Sequence, residues 1–94
     1  MGIEFEWDAA KARENRRKHG ISFEQAKRAF TDPFGVEWLD EREGYGEERT
    51  ILLAMADGSI LVVVFTERGE RIRLISARKA NRNEQSLYFK ESGR

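Results

Sequence analysis

Seven consecutive positions, Ser59 to Phe65, run Ser-Ile-Leu-Val-Val-Val-Phe without a charge. A run this short and this β-branched is the mark of a strand covered on both faces. A 94-residue chain has room for one modest core, so this strand has to lie at the middle of a sheet, with the rest of the chain supplying neighbours and cover. Asp57-Gly58 just before it is a strong hairpin signal, and it makes Arg49 to Met55 the preceding strand. Glu67-Arg68-Gly69-Glu70 makes the following turn, and Arg71-Ile-Arg-Leu-Ile-Ser76 the next strand, its arginines alternating with apolar residues. Ser76 reads as the N-cap of a last helix running to about Lys90, with Arg78 and Lys79 in or near its first turn. Cations there oppose the helix dipole, as if positive charge were being gathered for a ligand; solvated surface is the plainer alternative. Ala80, Leu87 and Tyr88 are the docking residues expected of that helix, and 91–94 should fray.

Upstream, Ile3-Glu-Phe-Glu-Trp7 alternates as a short strand with Ile3, Phe5 and Trp7 inward. Asp8 caps a helix that Gly20 stops in the left-handed region. That helix has no large apolar residue, leaving Ala9, Ala12 and the stem of Arg16 to face inward. Lys11, Asn15, Lys18 and His19 fall on one stripe that reads as a solvated face. Ser22-Phe-Glu-Gln25 fits a capping box with Gln25 reaching back, and Phe23, Ala26 and Phe30 are spaced for burial on a second short helix ended by Asp32-Pro33. Phe34 to Asp40 alternates as a strand. The whole chain therefore reads as one α+β domain spanning 1–94, ordered β-α-α-β-β-β-β-α, with a mostly antiparallel twisted sheet and two helices packed on one face.

Charge narrows the function. The formal net charge is zero, which at first argues against a nucleic-acid binder. Residues 32–48 nevertheless carry −6, against +2 for 1–31 and +4 for 66–94, an acidic middle set against a basic last third. There is no cysteine and one histidine, so thiol nucleophiles and disulfides are excluded and a zinc site is improbable. No serine sits in a nucleophile elbow and no Gly-rich phosphate loop lies between a strand and a helix. No apolar run is long enough to span a membrane, and the first residues lack a signal peptide's pattern, so the expected address is the cytoplasm.

The residues left are arginines, a lysine stripe and His19. They suit a reaction in which the substrate brings its own nucleophile, the attack of an RNA 2′-hydroxyl on the neighbouring phosphate. Arginine's planar fork matches phosphate oxygens whose charge grows in the transition state, and imidazole exchanges protons near neutrality. Glu48 or a hydroxyl is a candidate second proton-transfer group. Tyr45, Phe65 and Tyr88 are candidates to stack an unpaired base, with core burial favoured for Phe65.

These blocks also carry a resemblance. Trp7-Asp8, Lys11, Asn15, Lys18-His19-Gly20, Ser22-Phe23 and Ala26, then Gly46-Glu-Glu-Arg49, Val62-Val-Val64, Thr66, Arg68 and Arg73-Leu-Ile-Ser-Ala-Arg-Lys-Ala80 resemble the BrnT family of toxins from bacterial type II toxin–antitoxin modules. The resemblance implies a RelE-like ribonuclease fold and RNA cleavage without metal or other cofactor. It also implies neutralisation by a BrnA-type ribbon-helix-helix antitoxin that dimerises, giving a heterotetramer that reaches operator DNA only through the antitoxin. It places His19, Arg49, Arg68, Arg73, Arg78 and Lys79 in the family's motifs. On that basis Arg68 and Arg78 are expected at the scissile phosphate, and Arg49, Arg73 and Lys79 on the flanking RNA. His19 is either a proton-transfer group or a structural anchor for the helix pair. A non-catalytic module that binds the antitoxin as a corepressor is the alternative. It would leave the arginines scattered or locked by the acids of 37–48. A free-standing RNA-binding domain is a weaker third reading, since no stacking platform is evident.

Overall fold

The computed structural model describes residues 2–42 and 46–92. Its elements are β1 (Glu4–Glu6), α1 (Ala9–His19), α2 (Phe23–Ala29), β2 (Val36–Asp40), β3 (Arg49–Ala56), β4 (Ser59–Arg68), β5 (Arg71–Lys79) and α3 (Arg82–Ser92). This is the expected α+β order. The five strands form one sheet in the order β1-β5-β4-β3-β2, so the apolar run does occupy the central strand. Leu61 to Thr66 are all buried. The β2–β3, β3–β4 and β4–β5 pairs are antiparallel, while β1 runs parallel to β5.

Alternation along β3 and β4 divides the core in two. Leu52, Ala54, Ala56, Leu61, Val63, Phe65 and Leu74 pack beneath α1 and α2 with Ile21, Phe23, Ala26 and Ala29. Phe30 stands edge-on to both Phe5 and Phe65, each at 5.0 Å, and Trp7 meets Phe23 at 5.8 Å. On the opposite face, Leu53 and Val62 pack with Ala80 and with Tyr88 of α3. The tyrosine hydroxyl donates to Asp32 Oδ2 at 2.6 Å, which also accepts from the Met55 amide at 2.8 Å. Asp32 thus ends the α2 segment and ties it to β3 and α3.

Several local expectations are met. Asp8 accepts from the amides of Ala10 and Lys11, and Gly20 stops α1 at φ 71°. Asp57 and Gly58, both at positive φ, close the β3–β4 hairpin.

Others are corrected. Ile3 is 56% exposed and lies outside β1. Phe34 and Gly35 precede β2, which begins at Val36. Ser22 caps α2, but Gln25 does not reach back; its side-chain amide donates to Ala56 O at 3.4 Å. Leu87 is exposed and Tyr88 alone anchors α3. Ser76 is no helix cap: it pairs with Val64 inside β5, which continues to Lys79. The cap of α3 is Asn81, whose Oδ1 accepts from the Glu84 amide at 2.9 Å while Glu84 Oε1 accepts from the Asn81 amide at 2.8 Å. That reciprocal pair is a capping box with asparagine at its head. Arg78 and Lys79 therefore belong to a strand, and the apparent conflict with the helix dipole does not arise.

Asn15 is the largest departure. It is only 6% exposed. Its amide nitrogen donates to Ala77 O at 2.8 Å and Ile21 O at 3.0 Å, and its oxygen accepts from the Ala77 amide at 3.0 Å. β1 pairs β5 only at 71–73, so beyond that point the edge of β5 would carry unpaired backbone groups. Asn15 meets both of them at Ala77 and thereby holds α1, which lacks apolar anchors, against the sheet.

Candidate functional site

The central strand also sorts the arginines. Residues directly opposite each other in a ladder point to the same face, and β5 places Arg78 opposite Val62, Ser76 opposite Val64, Arg73 opposite Thr66 and Arg71 opposite Arg68. All four β4 partners are even-numbered and face away from α1 and α2. Two-residue alternation alone would send Arg73 and Arg78 to opposite faces. A bulge corrects this: Phe65 pairs with Leu74 and Val64 with Ser76, leaving Ile75 as an extra residue. Arg49, Arg68, Arg71, Arg73 and Arg78 consequently share one face, since Arg49 alternates with Ile51 and Leu53 of the second core.

At one end of that face lies a hollow of about 270 Å³, lined by His19, Trp38, Arg42, Ile51, Val62, Val64, Ser76, Arg78 and Glu84. His19 reaches it as the last residue of α1, and Arg78 and Ser76 come from beyond the bulge. Trp38 rises from β2, and Glu84 comes from the first turn of α3. Apolar floor and polar rim are combined, with Trp38 38% exposed.

Arg78 is held by a fork. Nη1 and Nη2 each donate to one Glu84 oxygen at 2.8 Å, and Nη1 also donates to Lys79 O at 3.3 Å. The pairing raises the arginine's pKa further and pulls the Glu84 carboxyl below the ordinary carboxylate range. Guanidinium has five N–H donors. The end-on edge is taken, but Nε–H and the remaining Nη2–H, which form the side-on edge, meet no acceptor among the described residues. With the side chain 41% exposed, that second fork is available to a phosphate. Arg42 is bound bidentately by Asp40 at 2.8 and 2.6 Å, which lowers the Asp40 pKa.

The other sequence candidates stand apart. Arg68 sits at the far end of β4, six residues from Val62, or about 20 Å along the strand, and meets Glu47 at 3.3 Å. Arg49 lies opposite Asp40 in the ladder and 3.9 Å from Glu47. Arg73 meets Glu6 at 3.0 Å, which together with Arg71 depresses the Glu6 carboxyl. Lys79 lines a separate hollow with Gly58, Ser59, Gln85 and Phe89. The structure thus brings His19 and Arg78 together, keeps Arg49, Arg68 and Arg73 on the same face but elsewhere, and separates Lys79. Phe65 and Tyr88 are buried and present no ring for stacking, and Tyr45 lies outside the described residues. Trp38, Arg42 and Glu84 were not singled out from sequence as site residues, and Ser76 only as a helix cap; Asn81-x-x-Glu84, a capping-box spacing, offered a local signal. Among the described residues no three His, Asp or Glu side chains are grouped to hold a metal ion.

The family model of BrnT, the ribonuclease toxin of type II toxin–antitoxin systems, matches residues 7–84. The chain belongs to the BrnT family. No curated protein matches it. Every residue lining the hollow, from His19 to Glu84, falls inside the BrnT match, which covers the α1–α2 pair, the last four strands and the cap of α3. The chain is thus a member of a ribonuclease toxin family whose type II systems pair toxin with antitoxin. No helix among the described residues is long and apolar enough to cross a membrane.

Proposed function

We propose that this BrnT-family chain is an endoribonuclease that cleaves RNA without a metal, at the hollow where His19 and Arg78 meet. The observation that carries the reading is the second, unoccupied fork of Arg78 beside the histidine. In this mechanism the ribose 2′-oxygen bonds to the adjacent phosphorus and the P–O5′ bond breaks. The 2′-hydroxyl loses a proton and the leaving 5′-oxygen gains one. Arg78 holds the phosphate oxygens through Nε and Nη2 while their charge grows. His19 carries one of the two proton transfers. Trp38, an exposed ring on an apolar floor, stacks a base next to the cleaved bond. Arg68, about 20 Å away along β4, has no part at that phosphate. Arg49 and Arg73 engage flanking backbone only by exchanging Glu47 and Glu6 for phosphate.

The partner in this reading is a BrnA-like ribbon-helix-helix antitoxin, two copies of each chain forming a heterotetramer that meets operator DNA through the antitoxin, in the cytoplasm. The corepressor alternative draws support from the pairing of Arg42 with Asp40 and of Arg49 and Arg68 with Glu47, acids of the 37–48 segment. Arg71, Arg73 and Arg78 pair with acids outside that segment, and the carboxylate of Arg78, from α3, leaves half its fork open.

Incubating the purified chain with single-stranded RNA in excess chelator tests the proposal. Cleavage is expected to persist and to leave 2′,3′-cyclic phosphate and 5′-hydroxyl ends. Arg78→Ala should lower the rate about 10²- to 10³-fold, the scale for removing a transition-state donor, with the fold intact. Cleavage abolished by chelator, or 5′-phosphate products, would rule this mechanism out. Growth arrest that survives both His19→Ala and Arg78→Ala would remove the site.

A further inference from the structure

The arginines that decorate the sheet face are compensated. Arg42, Arg49, Arg68, Arg71, Arg73 and Arg78 each have a carboxylate within 4 Å. Among the described residues, the largest group of cations without such a pair lies on α1; Lys79 and, on α3, Arg82 and Lys90 are the others. The side chains of Lys11, Arg13, Arg16 and Lys18 make no hydrogen bond or ion pair within 4 Å among the described residues, and the one acid on that helix, Glu14, pairs with Arg17, Lys18 acting on it only at longer range. All four side chains belong to exposed residues.

These cations divide between two flanks. At about 100° per residue, the inward side is set by buried Asn15 and half-buried Ala12. Arg13 and Arg16 turn toward α2, where they line a hollow with Trp7, Ser22, Phe23 and Glu24. Lys11 and Lys18 occupy the opposite flank, seven residues or about 10 Å apart. That flank looks past the edge of β5 toward the face bearing the arginines. Asp8, whose carboxyl is lowered first by the amides it caps, is also lowered by both Arg73 and Lys11, so the lysine end of this flank lies near the sheet face. The other end runs through Lys18 into His19 and the hollow.

We propose that the Lys11–Lys18 flank of α1 is the track on which a single RNA strand is held as it enters the His19–Arg78 hollow. The inference rests on the ribonuclease reading above, and it moves the binding of flanking phosphates from β-sheet arginines to helix lysines. Charge complementarity selects the occupant: two unpaired ammonium groups in line with a phosphate-sized fork match a backbone that carries a negative charge at every nucleotide. Lysine suits this role, being a mobile point charge that follows a flexible strand without reading sequence.

The test is binding of a labelled single-stranded RNA with 2′-O-methyl groups throughout, which cannot attack its own phosphates, to the full chain between 50 and 200 mM salt. The paired variants are Lys11→Ala/Lys18→Ala and, on the opposite flank, Arg13→Ala/Arg16→Ala. The lysine pair is expected to weaken binding at least tenfold and to reduce the log–log salt slope by about 1.4, the value for two single-strand phosphate contacts. The arginine pair should change affinity less than threefold. No binding by the unaltered chain, or equal losses from both pairs, would overturn the track. Polyglutamate competing as well as RNA with the same lysine dependence would also overturn it, by showing an acidic protein surface to be the occupant. Unmodified RNA that binds with the expected pattern but is not cut would leave the track standing and defeat only the catalytic reading.

Discussion

Asn15 replaces, with one side chain, the strand neighbour that β5 lacks at Ala77. Removing it strands a buried amide and two carbonyls, each costing about 1–3 kcal/mol when left without a partner. Asn15→Ala is therefore expected to lower stability by at least about 3 kcal/mol in urea unfolding, far more than Lys11→Ala on the same helix. Glu84 combines two tasks, capping α3 and aiming Arg78. Glu84→Gln keeps an acceptor for the Asn81 amide but loses the charged fork. The expected result is a cleavage rate lowered about tenfold with little change in KM, since a freed guanidinium still binds phosphate but is no longer held in one orientation. A change confined to KM would show that Glu84 does not position Arg78. Neither the docking of Asn15 nor the hold of Glu84 on Arg78 was legible locally. The Lys11-Asn15-Lys18-His19 stripe reads as polar surface, and nothing in its spacing distinguishes the one residue that docks from the three that do not.

At the scale of elements, the bulge at Ile75 decides the site. With it, Arg73 and Arg78 point to one face although they are five residues apart; without it, Arg78 would turn toward the core beneath α1 and α2. Deleting Ile75, by contrast, removes the extra residue itself, so Leu74 and Ser76 keep Phe65 and Val64 as partners in a regular ladder and Arg78 stays opposite Val62; the variant is expected to retain a cooperative thermal transition and RNA cleavage. A chain lacking Ile75 that lost its cooperative transition would show that the bulge does more than set the face Arg78 takes. Two strands of equal alternation give no hint of where an extra residue enters, since the register shift depends on β4. Caps and turns were different. Asp8, Gly20 and Asp57-Gly58 act through neighbours a few residues away and perform as their spacing suggests, and Ser22 caps α2 as expected although Gln25 does not reach back.

Across the whole molecule, a net charge of zero conceals an arrangement in which acids and bases are paired over most of the surface. Glu6, Asp8, Glu14, Asp40, Asp57 and Glu84 are all held below their ordinary carboxylate range by arginines or capped amides. A carboxyl depressed in the folded state contributes stability that is present above its unfolded pKa, about 4, and is lost as pH falls through the folded value. Stability measured by circular dichroism should therefore be level from about pH 7 to 5 and fall progressively below about pH 4. Added salt should change the plateau little, because most of these pairs are exposed.

From sequence alone the architecture could be derived: a central apolar strand, hairpins at Asp57-Gly58 and Gly69-Glu70, two capped helices and the β-α-α-β-β-β-β-α order all arise from interactions within a turn or two of chain. So could the family, from motifs that span the chain. The placement of β1 parallel to β5, the bulge that turns Arg78 outward, the burial of Asn15 and the meeting of His19 with Arg78 were decided only by tertiary structure. Each depends on which distant group a residue finds beside it, and that is settled by pairing between segments up to 67 residues apart, not by the local preferences of either one.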